Sequence, residues 1–323
     1  MNKKLKSALK ISLPLLLGAV LVWYSLSKIS IPVLLGYFKN ADYLWIGLGV
    51  FFGLLSHLSR AYRWKFMIEP MGYTLRFPNS IMAVFTTYIV NYTIPRAGEV
   101  SRATILTNYE GVPFEKGFGT IIAERVADLA VMLCIISISL ILEFDIIYNY
   151  LITTIDPTKL IVLGLVGILT LVLGYQLFKK SNHPFVLKIK TLLSGLVEGI
   201  TSILKMKKKW AFIAHTLFIW GMYVLMFYVT SFSLAETSQL PFPAILIGFI
   251  FASFSIAATN GGIGSYPLAI FAAFSMFNIP EDPSIAFGWI MWTSQTIMIT
   301  VLGGASLLFL PIYNRLYPKQ TSE

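Results

Sequence analysis

Residues 117–142 read GFGTIIAERVADLAVMLCIISISLIL, an apolar run interrupted only by Glu124, Arg125 and Asp128. As a helix rising 1.5 Å per residue it is about 39 Å long, more than the roughly 30 Å of a bilayer's hydrocarbon core. Apolar and polar residues do not alternate along it, so it is not the strand of a membrane barrel. In lipid every backbone polar group must be paired within the protein, and a helix does this by itself. The run therefore predicts a transmembrane helix, and the rest of the chain agrees with it. Similar stretches occupy 11–27, 43–60, 160–178, 210–232 and 285–310. Over all 323 residues 56% are hydrophobic and only 12% charged, with a mean hydropathy of +0.74. Such a composition excludes a soluble globular protein and a disordered chain.

The sequence begins with Lys3, Lys4, Lys6 and Lys10 ahead of an apolar stretch, which has the form of a signal peptide. Trp23, Tyr24, Lys28 and Pro32 stand where small residues would mark cleavage, so the reading is an uncleaved first span. One cysteine, Cys134, excludes a disulfide framework and a cysteine-rich metal site.

Two further apolar regions are broken. The first, 78–106, is interrupted at Asn91-Tyr92-Thr93-Ile94-Pro95; the second, 242–277, at Thr259-Asn260-Gly261-Gly262-Ile263-Gly264 and again at Pro267. Charge decides how they lie, because cytoplasmic loops collect Lys and Arg. Bases gather at the amino terminus, at Arg60, Arg63, Lys65 and Arg76, in eight lysines over 179–209, and at Arg315 and Lys319. Acids without bases occupy 143–157, 234–243 and 278–283. If both broken regions crossed the membrane, 179–209 would fall outside. If both are re-entrant hairpins, every basic segment is cytoplasmic, including both termini.

The predicted architecture is thus an all-α bundle of six spans and two opposed hairpins with their tips near mid-membrane, forming one domain over 1–323. Opposed broken helices, one in each half of a chain, recur at transporter binding sites. Residues 185–206 repeat apolar side chains at helical spacing against Lys188, Glu198 and Lys205, as an amphipathic helix in the inner interface does.

Charges inside a membrane mark a pathway, a partner or a cavity. Arg96, Glu99 and Arg102 follow the first break at intervals of three, and Glu124, Arg125 and Asp128 share the next span. These six pair among themselves as a structural network, or line a polar cavity where a guanidinium fork binds an anionic head group. Three arginines against three carboxylates sum to zero, so a phosphate would displace an internal partner, as in exchange. Asn91 and Pro95 shape the first tip; Asn260, Gly261, Gly262 and Gly264 would form the second, either as a bare-backbone lining for an anion or as a tight turn. Arg60, Arg63 and Trp64, at the end of a run, read as membrane-interface anchors. His57, His183 and His215 have no metal-ligand spacing and read as structural. No phosphate-binding loop or nucleophile motif is present, so no catalytic residue, metal or cofactor is assigned.

Taken in order, Arg60-x-x-Arg63-Trp64 with Met71-Gly72, Asn91-x-x-x-Pro95-Arg96-x-Gly98-Glu99-x-x-Arg102, Glu124-Arg125-x-x-Asp128 and Gly261-Gly262-Ile263-Gly264 resemble the lysylphosphatidylglycerol synthase transmembrane, or flippase-like, family. The resemblance implies an integral membrane unit tied to moving aminoacylated phosphatidylglycerol between leaflets, or to isoprenoid-linked sugar lipids. It implies the translocating half alone, because the sequence ends about a dozen residues beyond its last apolar run. The expected setting is the bacterial inner membrane, with membrane lipids as partners and no nucleic acid. A separately encoded cytosolic lipid-modifying enzyme and a second copy of the chain are further candidate partners. Two alternatives stay open, a membrane transferase acting on a lipid-linked sugar and a non-catalytic membrane partner of a cytosolic enzyme.

Overall fold

The structure, a computed structural model, describes residues 3–94, 96–145 and 206–319, with single positions scattered between 148 and 205. Every described element is a helix: α1 (Lys3–Ser27), α2 (Ile31–Asn40), α3 (Tyr43–Ile68, continued by a 3-10 turn, Glu69–Met71), α4 (Phe77–Thr93), α5 (Gly98–Glu110), α6 (Phe114–Leu142), α7 (Lys209–Ser231), α8 (Phe242–Ala258), α9 (Ser265–Ser275) and α10 (Glu281–Leu316). Helices α3, α6, α7 and α10 are long and apolar enough to cross a membrane, and α1 with α2, bent by 84° at their junction, makes a fifth candidate. The chain is a polytopic helical membrane protein. The expected span at 160–178 and the amphipathic helix at 185–206 lie outside the described residues.

Contacts between helices fix their directions. Asp42 caps α3, accepting from the Leu44 N–H at 2.9 Å, and its own N–H donates to the Ser233 carbonyl just beyond α7 at 2.9 Å. At the other end of the same pair Lys208 meets Glu69 at 2.7 Å. Helices α3 and α7 are therefore antiparallel. Trp64 on Thr120 and Arg60 on Glu124 and Asp128 make α3 and α6 antiparallel as well, so α6 and α7 run the same way. One end of the bundle carries Lys65, Arg76, Lys208 and Arg315 with Glu69 and Glu110, and the other carries Glu236, Glu281 and Asp282 with Lys28 and Lys39. We refer to them as the basic and acidic ends.

Helices α4 and α5 form the first hairpin. Asn79 at the start of α4 donates to Glu110 at the end of α5 (2.6 Å), and near the turn the Gly98 N–H donates to Asn91 Oδ1 (2.8 Å). Ile94 is extended (φ −128°, ψ 112°), as the residue before a proline tends to be, and Gly111 closes α5 in the left-handed conformation. The hairpin is fastened at its base. Arg76 donates to Glu110 (3.0 Å), to the Tyr109 carbonyl (2.8 Å) and, on α10, to Asn314 (2.6 Å). Helices α8 and α9 form the second hairpin, with Ser255 and Ser265 hydroxyls 2.8 Å apart near the turn. Its base lies at the acidic end, where Phe227, Phe274 and Phe287 pack with centroids 5.3–6.3 Å apart.

The two hairpins enter from opposite ends and meet. A Cβ on Gly261 would run into the Tyr92 ring. The long helix α10 runs beside both tips, Trp292 donating to the Gly261 carbonyl (2.8 Å) and Thr296 facing the Tyr92 hydroxyl (3.5 Å). Helix α2, for which no element is expected from the sequence, caps the acidic end, where Tyr37 donates to Glu236 (3.3 Å).

Candidate functional site

Four helices bring charge or hydroxyls to one layer. Arg60 and Arg63 come from α3, Arg102 from α5, Glu124, Arg125 and Asp128 from α6, and Thr216 from α7. Measured along the helices, Arg60 is about 13 Å from Glu69, Glu124 about 13 Å from Glu115 and Arg102 about 12 Å from Glu110. The layer therefore lies inside the bundle, between the basic end and the hairpin tips.

Its centre is Glu124, fully buried. Arg60 reaches it at 2.6 Å, Arg63 at 3.1 Å and Arg102 at 3.2 Å. Asp128, one turn further along α6, receives Arg60 at 2.6 Å and Arg63 at 3.2 Å, and Arg125 approaches it at 3.6 Å. The arginines are locked from behind. Arg63 donates to Thr216 (2.6 Å) and stacks over Phe212 (4.9 Å). Arg102 lies over the Trp64 ring (3.9 Å), and that indole donates to Thr120 (2.8 Å). A guanidinium stacked on an aromatic face keeps its edge free for in-plane donors.

The layer is unbalanced. Arg60, Arg63 and Arg102 are each at most 3% exposed and share two carboxylates, which leaves one positive charge; the half-exposed Arg125 adds a second. Several donors are also uncommitted. Among the described residues, Nε of Arg60, Arg63 and Arg102, Nη2 of Arg102 and, on the acceptor side, Oε2 of Glu124 are buried without a hydrogen-bond partner. Buried polar groups are nearly always paired, and a phosphate, which offers only acceptors, complements the four donors.

Between this layer and the tips, His57 is buried, with the Tyr88 ring 4.7 Å and the Tyr223 ring 5.9 Å from it and the Tyr223 hydroxyl 3.5 Å from its Nδ1. At the tips, Glu99 has the Asn91 amide at 3.3 and 3.5 Å, and the side-chain nitrogens of Asn260 and Gln295 have no hydrogen-bond partner among the described residues.

The sequence-based selection is divided by this geometry. Arg102, Glu124, Arg125 and Asp128 come together as a group. Arg96 and Glu99 do not join them: Arg96 is exposed and left-handed (φ 59°) in the turn, and Glu99 pairs with Asn91. Asn260, Gly261, Gly262 and Gly264 form the second tip, while Pro95 lies outside the described residues. Arg60, Arg63 and Trp64 are corrected. They are not anchors with heads in water, because α3 continues to Ile68 and carries them inward, where they are buried against Glu124, Asp128 and Thr120. Lys65, over the Tyr62 ring at 3.5 Å, lies toward the basic end instead. The correction also alters the charge sum, since replacing Arg96 and Glu99 by two arginines turns a neutral set into a positive one. Thr120, Thr216 and Gln295 went unmarked in the sequence, and His57 was read there only as structural; the available signal was a polar side chain within an apolar helix. Among the described residues no group of His, Cys, Asp and Glu could hold a metal ion.

Comparison with known proteins matches residues 11–303 to the family described as Lysylphosphatidylglycerol synthase TM region. A UPF0104 membrane protein of Methanocaldococcus jannaschii is 24% identical, over 90% of this chain and 91% of the relative. Another, of Methanothermobacter thermautotrophicus, is 34% identical over 26% of this chain and 25% of the relative. No solved structure matches.

Proposed function

We propose, from the premise that this chain belongs to the lysylphosphatidylglycerol synthase transmembrane family, that it moves a lipid with an anionic head group between leaflets, as a flippase or scramblase. The observation that carries this reading is the buried arginine layer, with its surplus positive charge and unpartnered donors. Arg60, Arg63 and Arg102 engage the phosphate, and Arg125, half exposed at the rim, draws the head group in. No internal carboxylate has to leave, so the neutral exchange expected from the sequence is not needed. The tips, with Asn91, Glu99, Asn260 and the glycines at 261–264, part to let the head group through. An aminoacylated or isoprenoid-linked lipid would present the same phosphate chemistry.

By the positive-inside rule the basic end faces the cytoplasm, in the cytoplasmic membrane. That end is also where a separately encoded lipid-modifying enzyme would dock. The transferase alternative finds little support at the arginine layer: Glu124 and Asp128 are both held by arginines, and Glu99 is the carboxylate it would have to use.

The test is reconstitution of the purified protein into vesicles containing fluorescent phosphatidylglycerol, phosphatidylethanolamine and phosphatidylcholine, with leaflet exchange read by quenching from outside. Exchange of the anionic lipid should exceed that in protein-free vesicles and fall at least tenfold in Arg102→Met. Equal exchange with and without protein, for every head group, would overturn the reading.

A further inference from the structure

We infer that Gln295 forms a second station for the oxyanion of the head group, at the level of the hairpin tips, joined to the arginine layer by one face of α3. This rests on the reading of the arginine layer as a head-group site. Gln295 lies about 21 Å along α10 from Glu281, well inside the bundle. An amide at that depth is rare unless it is paired, and its Nε2 has no hydrogen-bond partner among the described residues. The bundle nevertheless makes room for it. Gly53 on α3 is the point where a Cβ would come within 2.5 Å of Gln295 Oε1.

Gly53 also begins a stripe. Gly53, His57, Arg60 and Trp64 recur at intervals of three and four along α3 and so share a face. His57 sits between Tyr88 and Tyr223, and Arg60 opens the charged layer about 10 Å from Gly53. On α10, Trp292 and Thr296 flank Gln295 and touch the two tips, and Asn260 Nδ2 on the second tip is also unpartnered. The free groups at this level are thus amide donors, while the carboxylate there, Glu99, is engaged by Asn91. Neutral donors suit a phosphodiester oxygen and hold it less strongly than guanidinium does. A station met in transit must release its ligand as readily as it takes it.

The experiment uses the full chain in lipid nanodiscs containing phosphatidylglycerol with a photoreactive head group, with adducts mapped by mass spectrometry. The expected result is two labelled regions, one at the arginine layer and one in peptides spanning 258–266 or 289–297. Gln295→Leu should lose the second while keeping the first, leave thermal stability unchanged or raised, and slow leaflet exchange about tenfold. Gln295→Asn should retain part of the second, and Gln295→Glu should abolish it by charge. Excess inorganic phosphate should not compete; if it does, the station takes free anion and the lipid assignment falls. Labelling at the arginine layer alone, or a second region that survives Gln295→Leu, would overturn this inference while leaving the proposed function intact. Labelling that depends on Gln295 without any at the arginine layer would overturn the proposed role of that layer, and with it the placing of Gln295 as a second station.

Discussion

Glu124 receives three guanidiniums, and that ratio sets the outcome of single substitutions. Removing one member of a buried ion pair leaves its partners uncompensated, at a cost of about 3–5 kcal/mol. Glu124→Gln strands Arg102, which has no other carboxylate partner among the described residues, and weakens the hold on Arg60 and Arg63. It should lower the thermal midpoint in detergent substantially. Arg102→Met should cost less than half as much, because it removes a charge the layer already has in surplus. The double variant should be more stable than Glu124→Gln alone; a double variant that is less stable would show that the layer is not short of negative charge. Glu124, Arg125 and Asp128 were legible in the sequence because each interrupts an apolar run, where a charge has few bland explanations. Arg60 and Arg63 were not, since an arginine at the end of a hydrophobic stretch has the same local pattern whether it reaches water or a carboxylate. What separates the two cases is a partner on another helix, more than sixty residues away in the chain.

At the scale of elements, the hairpins were readable because two independent signals agreed, a break in each apolar region and the sidedness of the surrounding charges. Length alone misleads, since α4 is about 25 Å long and nearly spans. The bend that produces α2 had no comparable signal: Pro32 falls in the first turn of α2, where proline is at home, and the 84° change of direction comes before it. The tip contact makes a direct prediction. Gly261 is left-handed (φ 63°) and pressed against the Tyr92 ring, so Gly261→Ala introduces a clash in addition to about 1–2 kcal/mol of backbone strain. The variant should melt earlier than the parent, and Tyr92→Ala should restore part of the loss by removing the ring. If Tyr92→Ala lowers stability further in that background, the tips are not held together through this contact.

For the whole molecule, the sidedness of the bundle is testable in intact cells after Cys134→Ser. A cysteine at Ser238, between α7 and α8 near the acidic end, should react with a membrane-impermeant maleimide added outside, and one at Lys207 should react only after the membrane is opened. The opposite pattern would invert the orientation.

The directions of the helices carry a further consequence. Span, hairpin, span describes α3 to α6, and the same order describes α7 to α10 with every direction reversed. The connectivity is therefore an inverted repeat, whose pseudo-twofold axis would pass near the contact of Tyr92 with Gly261. The chemistry does not follow the repeat. Toward the basic end the first unit carries three buried arginines, while the second fills the corresponding position toward the acidic end with Phe227, Phe274 and Phe287. A fold symmetric in its backbone thus has one cationic half and one aromatic half, so a polar group crossing it would meet unequal terrain on the two sides of the midplane.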